Sequence, residues 1–281
     1  MKFKLIIYIM ICHLWIAPHC NANTPKHAIA MSLSSLNLTY TEPSIMKETG
    51  TLLGLNGTHT ISWPNKISIA TQLHYYNGTI TYDGALSNGT PYKADNIKDT
   101  IFITEVHIQK TVHYLNTAIM PYIGFGYRYW LDELGTNPYG YDRKTTYLYI
   151  PIGITLHYPV TETLSLNILS QYNLFIEGKN TSDYSKFAWR NDNLNVTQST
   201  GYGYLLGCNA TLRLPKNNNL SASIQYHYWD IANSSVDYIQ TDMGIIGGLE
   251  PKNNTKELRL GIQYTHLFPP PKKSPLLTYS L

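Results

Sequence analysis

Charge, cysteine and long apolar runs are all scarce in this 281-residue chain. Asp, Glu, Lys and Arg make up 14% of it, against roughly 25% in ordinary soluble domains. Of its three cysteines, Cys12 and Cys20 fall in an N-terminal segment discussed below. Only Cys208 remains, so neither an intramolecular disulfide nor a multi-cysteine metal site can form. Beyond the N-terminus no apolar run approaches the ~18 residues of a transmembrane helix, and helical periodicity is hard to find. No Lys/Arg cluster marks a nucleic-acid footprint. The formal net charge is +3, to which Lys2 and Lys4 contribute, and Lys272-Lys273 is only a dipeptide. The sequence contains no H-E-x-x-H or comparable ligand spacing, and no glycine-rich strand-to-helix segment. No metal, nucleotide or other cofactor is therefore expected.

What the sequence does hold is tyrosine, 24 residues of it, with aromatics at 12% and a mean hydropathy of −0.22. Many aromatics, few charges and a neutral mean fit a protein with one apolar and one polar surface. An export signal opens the chain. Met1-Lys2-Phe3-Lys4 is a positive start, Leu5 to Ile16 an apolar core, and Cys20-Asn21-Ala22 a cleavage site, which gives a signal over 1–22. His19 stands before Cys20, where a lipoprotein signal carries a small residue, so lipidation is not expected. Export without disulfides points to a bacterium.

Period-two alternation then recurs along the chain. Leu258, Leu260, Ile262, Tyr264, His266 and Phe268 oppose Glu257, Arg259, Gly261, Gln263 and Thr265. Residues 219–230 repeat the pattern, as do residues 164–177, where Leu166, Ile168, Leu174 and Ile176 oppose Gln171, Asn173 and Glu177. A strand sends alternate side chains to opposite faces, and here one face is apolar and the other polar. Short turns fall near 63–66, 115–116, 159–162 and 215–219. Longer polar segments fall near 41–49, 83–98, 133–145, 178–200 and 231–255. Tight turns alternating with long loops are the rhythm of an outer-membrane barrel. Tyr127, Tyr129 and Trp130, and Tyr226, Tyr228 and Trp229, sit near strand ends, where interfacial aromatic girdles form.

The reading is all-β: a closed antiparallel up-and-down transmembrane β-barrel of about ten strands, with eight or twelve also compatible, over residues 23–268. The strand segments are 32–41, 50–62, 67–82, 100–114, 117–132, 145–158, 163–178, 201–214, 219–231 and 255–268. A proline-rich tail covers 269–281. On this register Glu105, Arg128, Glu177, Arg213, Glu257 and Arg259 face the lumen, with His74, His107 and His227. Leu169 and Phe175 also face inward, against the apolar-out pattern. A barrel this small is filled chiefly by side chains, so the ionisable residues read as a plugging network before a charged pore. The glycines at 124, 126, 201, 203 and 207 mark bends or close packing in a narrow lumen.

Four segments resemble a group of largely uncharacterised outer-membrane β-barrel proteins of Gram-negative bacteria. They are Thr41-Glu42-Pro43-Ser44-Ile45-Met46-Lys47, Pro121 to Tyr129 (PYIGFGYRY), Gly140-Tyr141-Asp142-Arg143 leading to Tyr147-Leu148-Tyr149-Ile150-Pro151-Ile152-Gly153, and Glu250-Pro251-Lys252-Asn253-Asn254-Thr255. The resemblance implies location and fold, with no catalytic residues to carry over. Its members end on an aromatic residue that the barrel-assembly machinery reads, whereas here Pro269-Pro270-Pro271 follow Phe268. The expected location is the bacterial outer membrane, and the partners are its lipid and lipopolysaccharide, the assembly machinery, and an extracellular ligand or small solute. Three roles compete: a structural or surface-interaction barrel acting through its loops, a narrow solute channel, and a barrel enzyme such as a protease or lipid-modifying enzyme. No Asp-Asp pair or His–Asp motif like that of the omptin proteases is found. Asp132, Glu133, Asp183, Asp192, Asp230 and Asp237 read as solvated loop charges, and no enzyme is expected.

Overall fold

The computed structural model describes residues 25–86, 88–185, 187, 193–241 and 244–268. The signal over 1–22, the tail over 269–281 and Asp192 lie outside the described residues.

Alternation with few prolines inside the runs gives long strands. In chain order they are β1 (Lys26–Glu42), β2 (Met46–Ser62), β3 (Ile67–Ala85), β4 (Pro91–Lys110), β5 (Val112–Tyr114), β6 (Thr117–Asp132), β7 (Asp142–Pro159), β8 (Leu164–Asp183), β9 (Leu194–Gln198), β10 (Gly201–Leu214), β11 (Asn218–Ile231), β12 (Asp237–Thr241), β13 (Gly244–Gly248) and β14 (Asn253–Phe268). Each long strand pairs antiparallel with its neighbours. β14 returns to β1, with His27 opposite Phe268 and Thr41 opposite Asn254, which closes the barrel. Both β4 and β5 pair with β6, and both β9 and β10 pair with β8, so two staves are each built of two pieces and the barrel has ten staves. β12 and β13 form a separate hairpin in the last loop.

One end of the barrel is closed by tight turns. Lys66, Leu115, Lys216 and Asn217 have positive φ there, the left-handed geometry such turns use. The opposite end carries the loops, which are shorter than the sequence pattern suggested. The polar segment 41–49 is a tight turn, in which Ile45 N–H donates to the Glu42 carbonyl at 3.0 Å, and 91–98 belongs to β4. Polar side chains on both faces of a strand read as loop, yet here they mark strand that runs on beyond an apolar zone.

That zone is visible on the outer wall. Ile262 of β14, Leu33 of β1 and Leu55 of β2 are ladder partners. The same row continues through Tyr75 of β3, Phe102 of β4 and Tyr129 of β6. Leu33 is 70% exposed and Ile262 64%. Apolar side chains facing outward in a continuous row that ends in tyrosines form the lipid belt and aromatic girdle of a membrane barrel. Toward the loop end the outer face changes to Asn37, Thr39 and Thr41 on β1 and Thr49 and Thr51 on β2. Trp130 and Trp229 are not part of the girdle. Both are buried in the lumen, because each is one residue out of phase with its outward tyrosine neighbours.

Candidate functional site

The lumen is filled in layers, and its middle layer is ionic. Glu257, on the inner face of β14, is fully buried. It accepts from Arg128 Nη2 of β6 at 3.0 Å and from Arg259 Nε at 3.0 Å. Arg259 also reaches His227 of β11 at 3.1 Å. From His227 the network runs through Asn173 and Gln171 of β8 to Glu105 of β4. Glu105 in turn accepts from Tyr149 at 2.6 Å and contacts His107 at 2.7 Å. Two arginines thus face two glutamates, and charge balances where desolvation is most costly.

Aromatic and aliphatic groups seal the space around and above this layer. Trp229 packs against Tyr147 and Tyr149, with ring centroids 5.5 and 5.0 Å apart. Leu36, Leu38, Leu52, Ile101 and Ile103 fill the opposite wall. Arg128 lies 5.1 Å from the ring centroid of Trp130 and 5.6 Å from that of Tyr147, a cation–π arrangement that suits a buried guanidinium. Close packing explains Gly126 and Gly203. A Cβ on either would run into the ring of Tyr149 or Trp229.

Toward the loop end lies a second charged layer centred on Arg143 of β7. Its Nε and Nη2 donate to Asp132 Oδ2 at 3.0 and 2.9 Å, Nη1 donates to Glu42 at 3.1 Å, and Nη2 also donates to Glu48. The Tyr40 hydroxyl contacts Glu42 and Glu250, both at 2.9 Å. Four carboxyl groups therefore crowd one guanidinium. Glu250, in the loop before β14, is held up at about 7, first by burial and then by the charge of Glu42.

Above this floor opens a cup of about 900 Å³. Glu42, Arg143 and Glu250 form its base, and Tyr82, Tyr92, Tyr139, Tyr141, Tyr184 and Phe187 stand in its walls. Tyr92 packs edge-on against Tyr139 at 5.9 Å, and Tyr141 against Tyr184 at 4.6 Å. At the turn end, a polar cavity of about 240 Å³ reaches His74, Glu105 and Arg259. It shares Asn209, Ser221 and Gln263 with an outer cavity of about 500 Å³.

Glu105, Arg128, Glu257 and Arg259 are brought together in the middle layer. Arg213 keeps inward parity but lies exposed at the turn-end mouth, beside the outer cavity. Glu177 does not face the lumen. In the ladder between β7 and β8, Leu148 opposes Glu177 and Tyr149 opposes Phe175, so Ile176 is an extra residue. This bulge reverses the parity. Glu177 turns outward to an exposed pair with Lys179 at 3.1 Å. Phe175 and Leu169 do point inward, the first into the aromatic layer and the second onto the polar cavity. Asp132 is not a solvated loop charge but is buried against Arg143. Sequence reasoning missed Glu42, Arg143 and Glu250 as a group. The available signal was that three of the four recognised segments each contribute one of them. Among the described residues, no group of three His, Cys, Asp or Glu side chains is arranged to hold a metal ion.

Fold and belt define the class, an outer-membrane β-barrel of ten staves. No family model matches the chain, and no curated protein matches it. Among solved structures it is similar to the outer membrane protease OmpT from Escherichia coli, at 10% identity and a TM-score of 0.60, with 88% of this chain and 97% of that one covered. It is also similar to the translocator domain of the autotransporter NalP from Neisseria meningitidis, at 9% identity and a TM-score of 0.43, covering 94% and 97%. At such identities the likeness shows the fold alone. The closed barrel and its outward apolar belt point to a bacterial outer membrane.

Proposed function

We propose that this protein is a non-conducting surface barrel whose loop end faces the exterior and binds a ligand there. The observation that carries this reading is the lumen. It is occupied at two levels by buried ion clusters with aromatic packing between them, beneath an open cup. A solute channel needs a continuous wet path, and barrels with aqueous channels have roughly 16–18 strands. Binding is preferred to catalysis because Arg143 and Tyr40 hold Glu42 and Glu250 in place by one oxygen each, and no histidine is among the described lining residues of the cup to act with them. The apolar belt makes membrane lipid and lipopolysaccharide its surroundings, and Phe268, paired with His27 at the end of the closing strand, is the residue for the assembly machinery to read.

Planar-bilayer recording tests the reading. Protein shown to be folded by a heat-modifiable gel shift is expected to leave the bilayer silent. A variant with Arg128→Ala and Trp229→Ala is expected to admit current. Stable conductance steps from the unaltered protein would overturn the proposal.

A further inference from the structure

The cup's chemistry is uneven, and the unevenness names a ligand class. Its walls are aromatic faces and its base is rich in carboxylate. Neither lysine nor histidine is among its described lining residues. Among the described residues Arg143 is the only cation at the base, and its hydrogen bonds are committed to Asp132, Glu42 and Glu48. Glu42 and Glu250, by contrast, are incompletely used. Among the described residues, every hydrogen bond to their side chains ends on Oε1, so each keeps a second oxygen for a ligand. Below them is a void of about 10 Å³ lined by Tyr40, Trp130, Asp132, Arg143, Thr145 and Glu250. Asp132 and Glu48 are buried in this layer and lie within hydrogen-bond reach of each other, carboxyl to carboxyl. The layer therefore brings four carboxyl groups to one guanidinium, with the free oxygens of Glu42 and Glu250 left for the cup.

Resting on the surface-barrel reading above, we infer that the cup binds a small organic cation of the alkylammonium class. The cation sits against Glu42 and Glu250, with its carbon substituents on the tyrosine walls. Aromatic faces attract such ions through their quadrupoles, and the carboxylates supply the opposite charge. An anionic ligand would meet four carboxyl groups, with no free cation among the described lining residues to receive it. A neutral apolar ligand would leave the base unpaired.

The test is calorimetric titration of the full chain folded in detergent micelles. The probes are choline, n-butylammonium and 3,3-dimethyl-1-butanol, the last being the neutral counterpart of choline. Saturable binding of at least one cation is expected, at least fivefold tighter than the neutral alcohol. Choline winning over butylammonium identifies a quaternary head group as the source, and the reverse identifies a lysine-like side chain. E42Q with E250Q is expected to weaken the cation at least fivefold and to leave the alcohol unchanged. Tyr139→Ala, at a position already 64% exposed, provides a variant with little folding risk and is expected to weaken it two- to threefold. Equal binding of alcohol and cation, or no response to the carboxylate changes in protein that still shifts on heating, overturns the inference. So does failure of both cations to bind. None of these results bears on the bilayer recording, which judges the surface-barrel reading separately.

Discussion

Replacing Glu257 by alanine removes the one carboxylate shared by Arg128 and Arg259. Glu257 is 0% exposed and the two guanidinium groups are nearly as deep. Breaking a buried pair by deleting one partner costs ~3–5 kcal/mol, because the surviving charge is left without compensation. Here two charges are stranded, and Arg128 Nε and Nη1 already have no hydrogen-bond partner. The loss should therefore lie at the upper end of that range, about 5 kcal/mol. Glu177→Ala is the matched control. It also breaks a glutamate–cation pair, but with Lys179 at 3.1 Å and side chains 39% and 64% exposed. Exposed pairs contribute at most ~1 kcal/mol. The measurement is urea unfolding of the protein inserted in phosphatidylcholine vesicles, comparing both variants with the parent. A difference between the two variants of less than about 1 kcal/mol would refute the inward placement of Glu257 and the bulge that turns Glu177 outward.

Leu33→Arg puts a charge on the lipid belt and should cost about 2–4 kcal/mol if the site is near the bilayer midplane; unchanged stability in vesicles would mean that this face is not in lipid. Gly126→Ala places a methyl group against the Tyr149 ring and should cost ~1–3 kcal/mol by overpacking, read from the same urea curves, and a neutral result would show that the ring can move aside. Glu250 gives a pH dependence. Its folded-state value of about 7 lies above the ordinary 4.5, so it favours the folded loop end fully below 4.5 and loses that effect as pH rises through 7. The difference corresponds to roughly 3 kcal/mol. Amide exchange around 249–253, corrected for intrinsic rates, should accelerate between pH 5 and 8 in the parent but not in E250Q; identical profiles would refute the assignment.

The staves were legible because period two is imposed by the backbone and one face must meet lipid. Ile262, Ile224 and Leu166 mark that face in sequence, and the structure keeps them there. The inward Glu105, Arg128, Glu257 and Arg259 followed from the same parity. Parity failed at Glu177, because one extra residue inverts everything beyond it and no sequence pattern announces a bulge. It also failed to show what meets across the barrel. Glu42 and Glu250 are 208 residues apart and share Tyr40, a contact that only closure of β1 on β14 creates. The short β9 and the β12–β13 hairpin fall in segments whose pattern is that of loop, since five-residue strands carry too few alternations to stand out.

The two charged layers differ because they lie at different heights. A strand needs only about 9–11 residues to cross a bilayer, whereas β1 has 17 and β8 has 20. On β1 the exposed apolar side chains, Ile29, Met31 and Leu33, occupy the turn-end half, while Asn37, Thr39 and Thr41 follow toward the loop end. The surplus length therefore rises beyond the lipid, and the Arg143 layer lies within it. At belt height an unbalanced charge would pay a desolvation cost of several kcal/mol, so the arginines and glutamates of the middle layer match. Above the belt four carboxyl groups stand around one arginine because burial and mutual repulsion keep part of them neutral, with Glu250 held at about 7. The strand extensions that looked like loops in sequence are thus what allow an acidic base to stand beneath an aromatic cup, and they separate the part of the molecule that seals the barrel from the part available for recognition.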